Sequence, residues 1–181
     1  MLDKSSTLFY SGGAKGADTL WAQIAREYGF NTLHYYTQDI DTLKQEEYNK
    51  IEEQYQKVAK ALGKNLSDES SYTGKLLRRN MLQVNSADSI FALAKIAPNN
   101  FQVDGGTGYA VEGARQLKKP IFVYDLNTHK WNQFNYSKNK FEAYDGIPQI
   151  TAHAAVIGSR SIADNNNVYQ ECENVVREIF N

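Results

Sequence analysis

Three glycine-bearing turns, each next to a short apolar run, supply the chemistry this chain advertises. The first is Ser11-Gly12-Gly13-Ala14-Lys15-Gly16-Ala17-Asp18, after Leu8-Phe9-Tyr10. The second, Asp104-Gly105-Gly106-Thr107-Gly108-Tyr109-Ala110-Val111-Glu112, opens a helix, and the third, Gly158-Ser159-Arg160-Ser161, follows Ala154–Ile157. Glycine lets backbone approach an anion closely, and a helix N-terminus adds unpaired N–H groups and partial positive charge. Such turns suit a phosphate. Two or three of them suit the walls of one nucleotide pocket, or a ligand with phosphate or ribose groups at both ends. The first turn is not a Walker P-loop, because Lys15 precedes Gly16 and no Gly-Lys-Ser/Thr follows. Taken singly, each reads as a tight strand-to-helix connection. Together, at the carboxyl ends of strands, they predict a binding crevice.

Aromatic rings are the natural partners of a base. Tyr35 and Tyr36 follow the second predicted strand and Tyr109 sits in the second turn. Tyr35, Tyr36 and Tyr109 are the stacking candidates, with Tyr35 alternatively a core residue; Trp21 reads as core, and Trp131 as a pocket cover or a hairpin stabiliser. Read from residue type alone, Arg79 is a helix-surface arginine, and Glu112 is a carboxylate favoured near a helix N-terminus. His34, His129, His153 and the single Cys172 form no recognisable metal-ligand pattern, so neither a metal nor a cofactor is expected. Cys172 reads as a small core residue.

The elements that must position these residues follow from periodicity. Ala17, Leu20, Trp21, Ile24, Ala25 and Tyr28 define a helix that Gly29 ends, between strands at Leu8–Tyr10 and Asn31–Tyr36. This is a βαβ unit with a right-handed crossover. Thr42–Leu62 predicts a charged helix whose Tyr48, Ile51, Tyr55, Val58 and Leu62 form a narrow stripe. The plain expectation is packing on the sheet, the sharper one a homodimer face. A short helix can start at Asn65–Glu69, and a longer one spans Lys75–Ser86. Strands follow at Ser89–Ala94 and Ile121–Tyr124, flanking the helix of the second turn. Lys130–Asn135 and Phe141–Tyr144 predict a hairpin. Ala154–Ile157 is a last strand, and Val168, Cys172, Val175, Val176 and Ile179 mark a last helix. The fold class predicted is α/β, a Rossmann-like parallel sheet flanked by helices with a β-hairpin insertion.

Composition bounds the function. At 181 residues and 41% hydrophobic, the chain suits one domain with a real core. A net charge of −1, without a basic block, argues against nucleic acid held by phosphate electrostatics. No run approaches membrane-spanning length and no signal-peptide pattern opens the chain, so a cytoplasmic protein is expected.

The motifs in order resemble the SLOG superfamily, which gathers Lonely Guy enzymes, DNA-processing proteins that bind single strands, and sensors of NAD- or ADP-ribose-derived signals. Leu76-Leu77-Arg78-Arg79-Asn80, Ala87-Asp88-Ser89, Gly105-Gly106-Thr107-Gly108 and Glu112 are similar to the Lonely Guy pattern, with Arg79 at that family's spacing from Asp88. Asn80 stands in place of its lysine, Asp104 of its proline and Tyr109 of its threonine. Gly12-Gly13-Ala14-Lys15-Gly16-Ala17-Asp18 resembles the Gly-Gly-Ala-x-Gly-Ala-Asp loop of another branch, in which a strand ending Gly-Ser-Arg comes first. Here that strand comes last, so the resemblance implies a circular permutation that returns Gly158-Ser159-Arg160 to the crevice of Gly12-Gly13.

The resemblance thus implies one nucleotide-binding domain over 1–181, with a helical insertion at 42–74 and a hairpin insertion at 130–145. It also implies a homo-oligomer. The first function expected is binding of a nucleotide or ribose-phosphate compound, as sensor, carrier or sequestering protein. The ligand residues expected are Ser11, Gly12, Gly13, Ala14, Lys15, Gly16, Asp18, Tyr36, Asn80, Asp104, Gly105, Gly106, Thr107, Gly108, Tyr109, Ser159 and Arg160. The alternative is an N-glycosidic hydrolase of nucleoside 5′-monophosphates, with Arg79 and Glu112 catalytic. Single-strand nucleic-acid binding ranks third.

Overall fold

The computed structural model describes residues 3–150 and 152–181. Seven strands form one mixed sheet: β1 (Leu8–Ser11), β2 (Asn31–His34), β3 (Ser89–Ala94), β4 (Ile121–Asp125), β5 (Lys130–Asn135), β6 (Lys140–Ala143) and β7 (Ala154–Gly158), in the spatial order β2-β1-β7-β3-β4-β5-β6. The first five strands of that order are parallel, and the β5–β6 hairpin extends the sheet antiparallel from β4. The hairpin is therefore part of the sheet, and Trp131 is buried against Phe91 and Tyr124. If β7 is counted first, the order becomes 3-2-1-4-5-6-7, the doubly wound arrangement. Phe180, at the end of the last helix, packs on Phe9 of β1 and stacks on Tyr28, which brings that helix against the first strand.

The central strands β3 and β4 are buried along their whole length, as is β7 apart from Gly158, which fits their continuous apolar sequences. Helices α1 (Ala17–Glu27) and α5 (Asn166–Phe180) cover one face, burying Trp21, Ile24, Cys172 and Val176 against Phe9, Phe91 and Val156. Helices α3 (Tyr72–Ser86) and α4 (Thr107–Gln116) cover the other, with Val84, Ala110 and Ala114 against Ile90, Ala92 and Ile157. The chain leaving β7 crosses to the α5 face, and the chain leaving β3 crosses to the α4 face. The strands are neighbours, so their loops part and open a crevice between them.

Two expectations change here. The stripe on α2 (Gln45–Ala61) packs on α3 and α4 in an outer layer, burying Ile51, Tyr55 and Val58 with Leu77 and Met81. It lies neither on the sheet nor open to a second copy. Arg78 fastens this layer: its Nε donates to Glu52 Oε2 at 2.5 Å, and its guanidinium lies 4.3 Å from the Tyr55 ring centre. The short helix expected at Asn65–Glu69 is absent. Asp68 instead captures the Ser70 amide and hydroxyl, an Asx turn that competes with helix initiation. Ser71 then caps the next helix by accepting from the Gly74 amide at 2.9 Å, so α3 begins at Tyr72, a turn earlier than its apolar pattern suggests. Among the described residues no helix is long and apolar enough to cross a membrane.

Candidate functional site

The crevice at the carboxyl ends of β1, β7 and β3 has a volume of about 720 Å³, in the range of small-molecule sites. Three loops and one helix wall it. Ala14 and Asp18 come from the first turn, Asp104–Thr107 and Tyr109 from the second, Gly158–Ser161 from the third, and Leu76, Arg79 and Asn80 from α3.

The first turn does not behave as a bare amide nest. The amides of Gly12 and Ala14 lie beside the Asp18 carboxylate and favour its charge, Gly13 N donates to Ser11 Oγ at 3.1 Å, and Ala17 N donates to the Ser159 carbonyl at 3.2 Å. These four amides are engaged within the protein. What the turn provides is a seat: a Cβ on Gly12 would fall 1.2 Å from Arg79 Nη1, so only a residue without one lets that guanidinium lie against the loop.

Arg79 is 3% exposed and poorly served. Its Nη1 is 3.6 Å from Asp18 Oδ2 and 3.4 Å from Gln83 Oε1, and its Nε has no partner among the described residues. Gln83 is itself fixed, donating to the carbonyls of Tyr10 at 2.8 Å and Val156 at 3.0 Å. A buried guanidinium with five donors and two long contacts is an unmet demand for an acceptor, and buried donors are ordinarily satisfied. Burial, with a smaller push from the nearby Arg160 charge, weakens Arg79's hold on its proton, and no carboxylate pairs with Arg160 among the described residues.

The second turn supplies further donors. No carbonyl or side chain among the described residues accepts from the amides of Gly105, Gly106 or Thr107, at the N-terminus of α4. Asn80 donates to the Gly106 carbonyl at 3.2 Å and so holds the turn in place. Lys95, at the end of β3, adds a third cation to the walls.

Burial pushes the Asp18 carboxyl up to about 6, against the pull of Arg79 and of the Ala14 and Gly12 amides. A carboxyl raised in the folded state binds its proton more tightly than in the unfolded chain. Its contribution to stability is therefore full below the unfolded value of 3.8 and is lost as pH rises through about 6. Protonating Asp18 also releases Arg79 for an anion. The affinity for sulfate, whose charge is constant here, is expected to rise several-fold as pH falls from 7 to 5, with one proton limiting the slope to about tenfold per unit. Asp18→Asn should flatten that profile, measured by titration calorimetry.

Other expected residues are placed elsewhere. Glu112 is buried, but its carboxylate faces away from the crevice and is held by Arg115 at 2.6 and 2.7 Å and by Gln116 at 2.9 Å. Its position on α4 points it at the helix's own next turn. Glu112→Gln is accordingly expected to leave ligand affinity within about twofold while lowering thermal stability, because it weakens a bidentate ion pair. Lys15 points outward to Asp164 at 3.3 Å. Gly13 and Tyr36 line a separate shallow hollow with Arg26 and His34. Gly108 is buried beneath the Val103 carbonyl, and Ser11, Gly12 and Gly16 support the loops from behind. Gln83, Lys95 and Tyr72 were not foreseen. Gln83 was findable as a polar residue one turn after Arg79 on the same helix face; Lys95 and Tyr72 carried no signal.

No family model and no curated protein matches the chain. Among solved structures, one named "Putative molybdenum carrier protein", from Syntrophus aciditrophicus SB, superposes with a TM-score of 0.51 at 16% identity, covering 98% of this chain and 96% of its own. At that identity the likeness is one of fold.

Proposed function

We propose that the chain binds a nucleotide or another ribose-phosphate compound in this crevice, a nucleoside monophosphate or an NAD- or ADP-ribose-derived molecule, as a sensor, carrier or sequestering protein. One observation carries the reading: the Arg79 guanidinium is buried at the base of the crevice with its Nε unpartnered. A phosphate oxygen there would accept from Arg79, from Arg160 and from the Gly105–Thr107 amides, a charge-assisted set of the kind that binds phosphate tightly. The hydrolase reading has less support, since Glu112 is outside the crevice and Asp18 is enclosed by its own donors.

The neighbour's name supports a second reading, a molybdenum-bearing ligand. Molybdate is a tetrahedral oxyanion and would meet the same donors. Thermal unfolding with adenosine 5′-monophosphate, NAD, ADP-ribose, molybdate and orthophosphate separates the two. A nucleotide at a hundred times its Kd is expected to raise Tm by about 5–10 °C. Stabilisation by molybdate alone would favour the second reading, and no shift with any compound would overturn both.

A further inference from the structure

Tyr72 is 62% exposed, although it is a large aromatic at the first position of α3. It serves no core, and tyrosine is only a middling helix former, so neither packing nor propensity accounts for it there. Its ring stands against Arg160, which comes from the opposite wall: the guanidinium lies 5.8 Å from the ring centre, and its Nη2 is 3.4 Å from the hydroxyl. A cation at that distance is drawn to the ring face. A guanidinium is also flat and stacks as a base does. The contact thus sets the Tyr72 ring, with most of its surface open, beside Arg160 of the crevice wall.

Tyr72 and Arg79 are seven residues apart on one helix, two turns and about 10 Å along its axis. Leu76, between them on that face, lines the crevice, as does Thr73 beside Tyr72. An anion site at the bottom and an aromatic ring beside the wall residue Arg160, with a lined gap between, match a phosphate, a sugar and a base in sequence. The other aromatic candidates are committed elsewhere. Tyr109 stacks on Tyr55 at 6.1 Å, and Tyr36 lies in the separate hollow.

We infer that Tyr72 is the platform on which a nucleobase stacks, with Arg160 leaving the ring for the phosphate when the ligand enters. The ligand is then a nucleotide rather than a bare oxyanion or a sugar phosphate. This inference rests on the crevice being the phosphate site proposed above.

The test uses the full chain and two probes, adenosine 5′-monophosphate and ribose 5-phosphate, titrated by calorimetry into the wild type, Tyr72→Ala and Tyr72→Phe. The wild type should bind the nucleotide about tenfold more tightly than the sugar phosphate. Tyr72→Ala should lose about tenfold for the nucleotide, leaving ribose 5-phosphate within about twofold, and Tyr72→Phe should keep the preference. Alanine at an exposed first helical position is well tolerated, so the variant is expected to fold. Equal wild-type affinities, an unchanged nucleotide affinity in Tyr72→Ala, or equal weakening of both probes would each overturn the stacking role while leaving the phosphate site intact. If neither probe bound the wild type, the phosphate site and the stacking role would fall together.

Discussion

Arg79→Met is expected to weaken phosphate-ligand binding by at least about 100-fold, the cost of two charge-assisted hydrogen bonds at roughly 1.5–3 kcal/mol each. Methionine fills much of the same space without a donor. Arg79→Lys should fail almost as badly, because an ammonium is a point charge without the planar fork that can hold Gln83, Asp18 and a phosphate together. Arg79→Met also leaves Asp18 buried without its cation. Breaking a buried pair costs about 3–5 kcal/mol, and the lower end is expected, since the Gly12 and Ala14 amides still reach Asp18 and its carboxyl can take up a proton. Pairing Arg79→Met with Asp18→Asn should recover much of that stability without restoring binding. Calorimetry and thermal unfolding on the same samples separate the two effects. Full affinity in folded Arg79→Met would remove Arg79 from the site.

The second large effect is structural. Gly16 has φ +98°, a region that side chains rarely adopt, and a Cβ there would lie 2.7 Å from the carbonyls of both Ser159 and Arg160. Backbone cannot give way as a side-chain tip can. The third loop would have to retreat from the start of α1, and the bond from Ala17 N to the Ser159 carbonyl would go with it. Gly16→Ala is expected to destabilise by about 3–5 kcal/mol, the exceptional range for one substitution, lowering Tm by roughly 10 °C. It should also weaken ligand binding by moving Arg160. Gly106→Ala is the control. Gly106 has helical angles and its nearest neighbour to an added Cβ is 3.9 Å away, so its Tm should barely change. Equal Tm values for the two variants would mean that the first and third loops are not packed as described.

Much of this arrangement was legible in the residues. Apolar runs located the strands, the helical period of Ala17–Tyr28 located α1, and glycine turns at strand ends located the crevice. The resemblance implied a return of Gly158–Arg160 to the loop of Gly12-Gly13, and the two segments meet at Gly16 of that loop. What sequence could not express was direction and destination. An apolar stripe on α2 shows that a face is covered but not that helices, rather than the sheet, cover it. Two adjacent arginines look alike. Yet the hundred-degree step between neighbours in a helix sends Arg78 to Glu52 in the outer layer and Arg79 to Asp18 under Gly12. The same geometry carries Glu112 away from the crevice that the rest of its motif lines. The first turn's amides seemed available because their acceptor, Asp18, is supplied by the same motif.

The central claim is that a phosphate completes the coordination of Arg79. The most direct measurement is a crystal structure of the chain grown with whichever nucleotide most raises its Tm. The expected result is a phosphate oxygen about 2.7–3.2 Å from the Arg79 guanidinium, with the Gly105–Thr107 amides directed at the same group. A nucleotide found instead in the hollow of Arg26, His34 and Tyr36, with Arg79 still holding only Asp18 and Gln83, would contradict it.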